Sequence, residues 1–125
     1  MRTTQDAADF LVSVCRKGDF SSAISELYGD NIVSIEPEGS QMREAIGLEA
    51  VLEKEKHFNE MVEEFHGVEV SDPVVADNFF AISLKMDVTY KGAPRMTMEE
   101  VGLYHVIDGK IVREEFFYTP PPKQE

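Results

Sequence analysis

Hydrophobic positions recur along this chain with two different periods, and the change near residue 65 separates a helical half from a strand half. Ala8, Leu11, Val12 and Cys15 keep the spacing of one helix face. Thr3 or Thr4 stands where a helix cap belongs, and Gly18 where a helix stops. Asp19 caps a second short helix with Phe20, Ala23, Ile24, Leu27 and Tyr28 on one face, ended by Gly29. Ile32 to Glu36 reads as a strand closed by Pro37, which has no N–H to donate. Glu38 to Ala45 reads as a loop. Gly47 then opens the longest helix, Leu48 to Glu64. Its apolar face is Leu48, Val51, Leu52, Phe58, Met61, Val62 and Phe65, and its other face is crowded with Glu and Lys.

Beyond Phe65 the period becomes two. Val68 to Ser71 and Val74 to Ala76 are short strands, and Asp77-Asn78 is a hairpin turn. Phe80, Ile82, Leu84, Met86, Val88 and Tyr90 alternate with polar residues in a long half-buried strand. Lys91 to Arg95 turns the chain into a strand from Met96 to Ile107. Asp108-Gly109 suits a two-residue hairpin turn, and Lys110 to Thr119 is the last strand. Helices and one strand followed by antiparallel strands predict an α+β fold, a curved antiparallel sheet closed by helices. Residues 1–119 are expected to form one domain and residues 120–125 a Pro-rich disordered tail.

The last hairpin carries a register argument. A tight turn at Asp108-Gly109 sets Val101 opposite Phe116, Leu103 opposite Glu114 and His105 opposite Val112. One face then holds Glu99, Val101, Leu103, His105, Val112, Glu114, Phe116 and Tyr118. The other holds Met98, Glu100, Gly102, Tyr104, Arg113, Glu115 and Phe117. Both faces are partly apolar. Helices are expected to cover one, and a second copy the other, giving a homodimer through the outer sheet face.

Composition narrows the partners. The chain has 125 residues and a formal net charge of −12, and its twelve Lys and Arg residues are scattered. Nucleic acid and anionic membranes need a basic stripe, so neither is an expected partner. No apolar run approaches the ~18–20 residues of a membrane span, and the opening residues lack a signal-peptide pattern. Cys15 has no second cysteine to pair with, so a reducing cytoplasm is expected. No phosphate-binding loop or serine elbow is present, and His57, His66 and His105 lack zinc-site spacing. The expected chemistry therefore uses neither cofactor nor metal.

Three runs carry a family likeness: LYGDNIVSIEP from Leu27 to Pro37, EAIGLEAV from Glu44 to Val51, and YHVIDGKIVREEFFY from Tyr104 to Tyr118. Over nearly its whole length the chain resembles the nuclear-transport-factor-2-like (NTF2-like) superfamily. Within it, the chain is most similar to the SnoaL-like (polyketide-cyclase-like) small bacterial proteins. The resemblance implies a cone-shaped NTF2-like/cystatin-like roll with an internal cavity. It leaves activity open, because the superfamily mixes isomerases, cyclases, dehydratases, epoxide hydrolases and non-enzymes.

Ketosteroid isomerases carry a base aspartate before a proline at the end of the first strand. Glu36 before Pro37 matches that position. Their donor tyrosine and aspartic acid fall here near Leu11 and Val101, so a two-donor oxyanion hole is not expected. The Arg and two Asp of this fold's epoxide hydrolases fall near Asn78, Phe80 and Phe116, which argues against that reaction. Polyketide cyclisation needs an acid/base group, and Glu36, His105 and Glu114 are the candidates. Glu36 also reads as a solvated strand-end carboxylate or an ion-pair partner of Arg43, and His105 as an exposed strand-end residue.

The expected ligand is a small lipophilic molecule in a mostly apolar pocket with few polar groups. Leu11, Phe58 and Met61 would line it from the helices. Phe80, Leu84, Met86, Val101, Leu103, Phe116 and Tyr118 would line it from the sheet. The alternative is a non-catalytic ligand-binding or dimerisation module on the same fold.

Overall fold

The computed structural model describes residues 2–40 and 42–120; the expected tail, 121–125, lies outside the described residues. Elements follow in the order α1 (Thr4–Arg16), α2 (Phe20–Leu27), β1 (Tyr28–Ile35), β2 (Glu44–Ile46), α3 (Leu48–Met61), β3 (Val62–Val70), β4 (Val74–Ala76), β5 (Phe79–Tyr90), β6 (Met96–Ile107) and β7 (Lys110–Phe117). The strands form one curved, open sheet in the order β2-β1-β7-β6-β5-β3, with β4 added beside β5. The pairing of β1 with β7 is parallel and the others are antiparallel. This inserts a strand from the first half of the chain beside the last one. Ser34, Glu114 and Tyr104 thereby become neighbours across three strands.

Local chemistry accounts for the helix starts. Thr3 and Asp6 form a reciprocal capping box at α1, and the Asp19 carboxylate accepts the Ser22 N–H at α2. The apolar stripe of α1 (Ala8, Leu11, Val12 and Cys15) is buried, and it joins Ile24 and Leu27 of α2 in one core with Phe80, Ile82, Leu84 and Met86 of β5. Among the described residues no helix is long and apolar enough to cross a membrane.

Several boundaries differ from the sequence reading. α3 stops at Met61, and Val62 and Phe65 already belong to β3, where they pair with Tyr90 and Val88. Sheet pairing of these two strand-favouring residues overrides the helical periodicity that included them. Tyr28 starts β1 opposite Ile111 rather than ending α2. The expected loop from Glu38 contains β2, which pairs with Val33 to Ile35.

The main correction is the register of β6 and β7. Next to the turn, Ile107 pairs with Lys110 and Val106 with Ile111, as expected from Asp108 and Gly109, both at positive φ. His105 then pairs with Arg113, leaving Val112 as an extra residue in β7. Beyond this bulge Tyr104 pairs with Glu114, Gly102 with Phe116 and Val101 with Phe117. One unpaired residue exchanges the faces of everything after it. Glu114, Phe116 and Tyr118 therefore share the concave face with Met98, Glu100 and Tyr104. Val101, Leu103 and His105 face the other way.

Candidate functional site

A cavity of about 330 Å³ lies between the concave sheet face and the three helices. That is room for about ten water-sized groups. Apolar side chains form most of its wall, including Leu11, Ile24, Val51, Phe58, Leu84, Met86, Met98 and Phe116. A charged set enters from the end of β1, from β6, β7 and α3, comprising Glu36, Glu100, Glu114, Lys54 and Glu55. The polar groups are thus more numerous than the sequence reading allowed.

Two of the four carboxyl groups, Glu36 and Glu114, are fully held; Glu55 accepts from Ser21 Oγ at 3.3 Å on Oε1, and its buried Oε2 has no partner among the described residues. Lys54 Nζ donates to Glu36 Oε2 at 2.7 Å and to Ser34 Oγ at 2.9 Å. The Tyr118 hydroxyl donates to Glu36 Oε1 at 2.7 Å. Ser34 Oγ donates to Glu114 Oε2 at 2.7 Å, and the Tyr28 hydroxyl donates to the other Glu114 oxygen. Tyr28, Glu114, Ser34, Lys54, Glu36 and Tyr118 therefore form one connected network. Lys54 Nζ also lies 5.1 Å from the centre of the Phe116 ring, within reach of a cation–π attraction.

Glu100 is different. Among the described residues no side chain donates a hydrogen bond to it, although it lines the same cavity. Burial pushes its carboxyl up to about 7, and Glu36 and Glu114 add to the rise against the opposing pull of Lys54. Burial also raises Glu114, against the donated bonds of Tyr28 and Ser34 and the charge of Lys54. The Tyr104 hydroxyl has no partner among the described residues, and burial, with Glu114 beside it, holds it well above the usual phenol range. Burial pushes the Cys15 thiol up to about 12, which leaves it a poor nucleophile. Among the described residues no cluster of His, Cys, Asp and Glu is arranged to hold a metal ion.

Of the residues singled out from sequence, Glu36, Glu114, Leu11, Phe58, Leu84, Met86, Phe116 and Tyr118 line this cavity. His105 does not. It sits on the outer face of β6 with its ring stacked on Phe79 at 4.4 Å. Val101 and Leu103 share that outer face because the bulge at Val112 reverses the expected pairing. Met61 is exposed at the end of α3. Phe80 is buried behind the cavity, with its ring stacked on Tyr104 at 4.8 Å. The expected Glu36–Arg43 side-chain pair is replaced by Lys54; Arg43 meets Glu36 through its backbone carbonyl, which accepts the Glu36 N–H at 2.7 Å.

Tyr28, Lys54, Glu100 and Tyr104 escaped the sequence reading as site residues. Two left a signal. Lys54 lies three residues after Val51 and four before Phe58, inside the apolar stripe of α3. Glu100 keeps the alternation of Met98 and Tyr104.

The arrangement can be set beside known proteins. The SnoaL-like domain family matches residues 2–118. A protein from Mesorhizobium loti, named a SnoaL-like polyketide cyclase and carbohydrate phosphatase, is 36% identical over 94% of this chain and 100% of its own, with a TM-score of 0.88. TerC, co-crystallised with polyporic acid, is 16% identical over 94% of this chain and 92% of its own, with a TM-score of 0.75. A ketosteroid-isomerase-like protein from Catenulispora acidiphila, in complex with trimethylamine, is 15% identical over 94% of this chain and 88% of its own, with a TM-score of 0.73. At such identities the last two share the fold alone. Among curated proteins nothing matches the chain. With the family matched from residue 2 to residue 118 on an NTF2-like fold, the chain belongs to the SnoaL-like domain family.

Proposed function

We propose that the cavity binds a small, largely apolar molecule and exchanges a proton with it through Glu100, without cofactor or metal. The observation that carries this reading is a carboxyl group in the cavity wall, free of donors among the described residues and moved up to about 7 by burial. Near neutral pH such a group is populated in both forms and serves as donor or acceptor. Tyr104, two turns of the pleat along the same strand, offers a second donor to an oxygen that gains charge. Glu36 has a donor on each oxygen, so its part is to hold Lys54 and Tyr118 in position. TerC and the Catenulispora protein were crystallised with small organic molecules, which supports a small-molecule site on this fold without selecting a ligand class.

The test is turnover of aromatic alcohols, ketones and amines by the wild-type chain, Glu100→Gln and Glu36→Gln. For a compound that is converted, Glu100→Gln should lower kcat by about 10²–10⁴-fold. Glu36→Gln should act mainly on KM. The reverse order would assign the proton to Glu36. Equal turnover in all three would remove both carboxyl groups from the chemistry, and no turnover of any compound by the wild-type chain would leave a binding module.

A second reading concerns assembly: two copies pair through the outer face of the sheet. Phe79, Val101, Leu103 and Phe117 support it, since they stand there between 40% and 48% exposed.

A further inference from the structure

We infer that the ligand group meeting Glu100 is a basic nitrogen, so that the cavity takes a compact amine with an apolar body. This rests on the proton exchange at Glu100 proposed above and names the atom that takes part in it. Three observations converge. Both oxygens of Glu36 have donors, and so do both oxygens of Glu114. Lys54 is already engaged with Glu36 and Ser34. Among the described residues, the charged groups left short of donors in the cavity are therefore acids, Glu100 and the buried Oε2 of Glu55, and their complement is a cation or a strong donor.

The second observation is independent of the carboxyl groups. Tyr104 is only 4% exposed, yet its hydroxyl finds no partner among the described residues and lines the cavity. A Cβ built on Gly102 would lie 3.0 Å from that hydroxyl, so the phenol lies over Gly102, along the strand toward Glu100. Phe116 is the cross-strand partner of Gly102, and its ring already attracts one ammonium, that of Lys54. Glu100, the Tyr104 oxygen and an aromatic ring are together what an ammonium group needs: a counter-charge, a hydrogen-bond acceptor and a π-face. The third observation is global. A net charge of −12 draws cations toward the molecule and repels anions. Leu11, Phe58, Met86 and Met98 supply a wall for the apolar body.

The exchange balances simply. A neutral amine takes the proton of the Glu100 carboxyl, leaving carboxylate and ammonium; an amine that arrives protonated instead expels the Glu100 proton to solvent. The groups facing Glu100 are Tyr28 on β1 and Glu36 at its end, Lys54 and Glu55 from α3, Tyr90 on β5, Glu114 and Tyr118 from β7 and beyond it, Tyr104 on β6, and Cys15 from α1. Burial, Glu36 and Glu114 favour its acid form in the empty cavity. A bound cation reverses that preference.

Isothermal titration with benzylamine, benzyl alcohol and benzoate tests the inference on the whole chain. Runs at pH 6 and pH 8, in phosphate and in MOPS, give the protons released. Benzylamine should bind at least tenfold more tightly than its two isosteres. Its affinity should rise about tenfold from pH 6 to pH 8, with proton release at the lower pH. Glu100→Gln, close in size to the native residue, should abolish both the preference and the pH dependence while circular dichroism shows it folded. Benzyl alcohol binding as tightly as benzylamine, with no proton released, would overturn the amine but leave the small-molecule cavity and its turnover test standing. Binding of none of the three would overturn the amine and the cavity's role for molecules of this size together.

Discussion

A carboxyl group largely buried in a cavity wall without a protein donor is more stable as the acid, and among the described residues Glu100 meets both conditions while Glu36 and Glu114 have donors. The folded chain keeps the Glu100 proton up to about 7, whereas the unfolded chain gives it up in the ordinary carboxylate range. Between those values the folded state binds the extra proton, so its stability falls as pH rises across the window. Glutamine has no proton to lose. Thermal melting of Glu100→Gln should therefore match the wild type below pH ~4. At pH 8 it should exceed the wild type by on the order of 2–3 kcal/mol. Equal melting at both pH values would show that water reaches the carboxyl and would remove it as a neutral-pH proton carrier. Such a group is half legible in sequence. Alternation places Glu100 with Met98 and Tyr104, but which side of the strand is enclosed depends on pairing several residues away.

At the scale of elements, what could be read from the chain was what local chemistry decides. The capping residues Thr3 and Asp19, the stop at Gly18, the Asp108-Gly109 turn and the alternation of β5 each act within a few residues, and each appears in the fold. The end of α3 and the bulge at Val112 are set by distant strands, so local patterning missed them. The bulge matters most for the site, because it moved Glu114, Phe116 and Tyr118 to the same face as Glu100. It passed unnoticed because both faces of β7 carry aromatic residues, leaving no polarity contrast to reveal a slip. Gly102 is a second device of this hairpin. A Cβ there would stand 2.9 Å from the Tyr104 ring, which rests between Gly102 and Phe80. Gly102→Ala should push the ring from that seat and cost about 1–3 kcal/mol in urea unfolding. A neutral result would show that the Tyr104 ring moves aside freely, and with it the second donor of the cavity.

For the whole molecule the two faces of the sheet divide the work. The concave face encloses the cavity, and the outer face leaves Phe79, Val101, Leu103 and Phe117 in contact with solvent. Val101 is paired with Phe117, and Leu103 follows one pleat along, so these residues form a continuous strip across β6 and β7. Charges of both signs flank it: Lys85 pairs with Glu99 across β5 and β6, and Arg113 contacts Glu115 at 3.2 Å. A strip of this kind is complementary to itself, which suits a two-fold pairing of identical copies. Each copy nevertheless carries a net charge of −12, so two copies repel until the apolar strip is buried. Salt screens that repulsion and leaves apolar burial almost untouched. Sedimentation at micromolar concentration should therefore show a dimer whose affinity increases with added sodium chloride. Leu103→Glu, at the middle of the strip, should yield a folded monomer. A dimer weakened by salt would place the pairing on ion pairs instead of the apolar strip, and a wild-type monomer at every salt concentration would leave this face without a second copy.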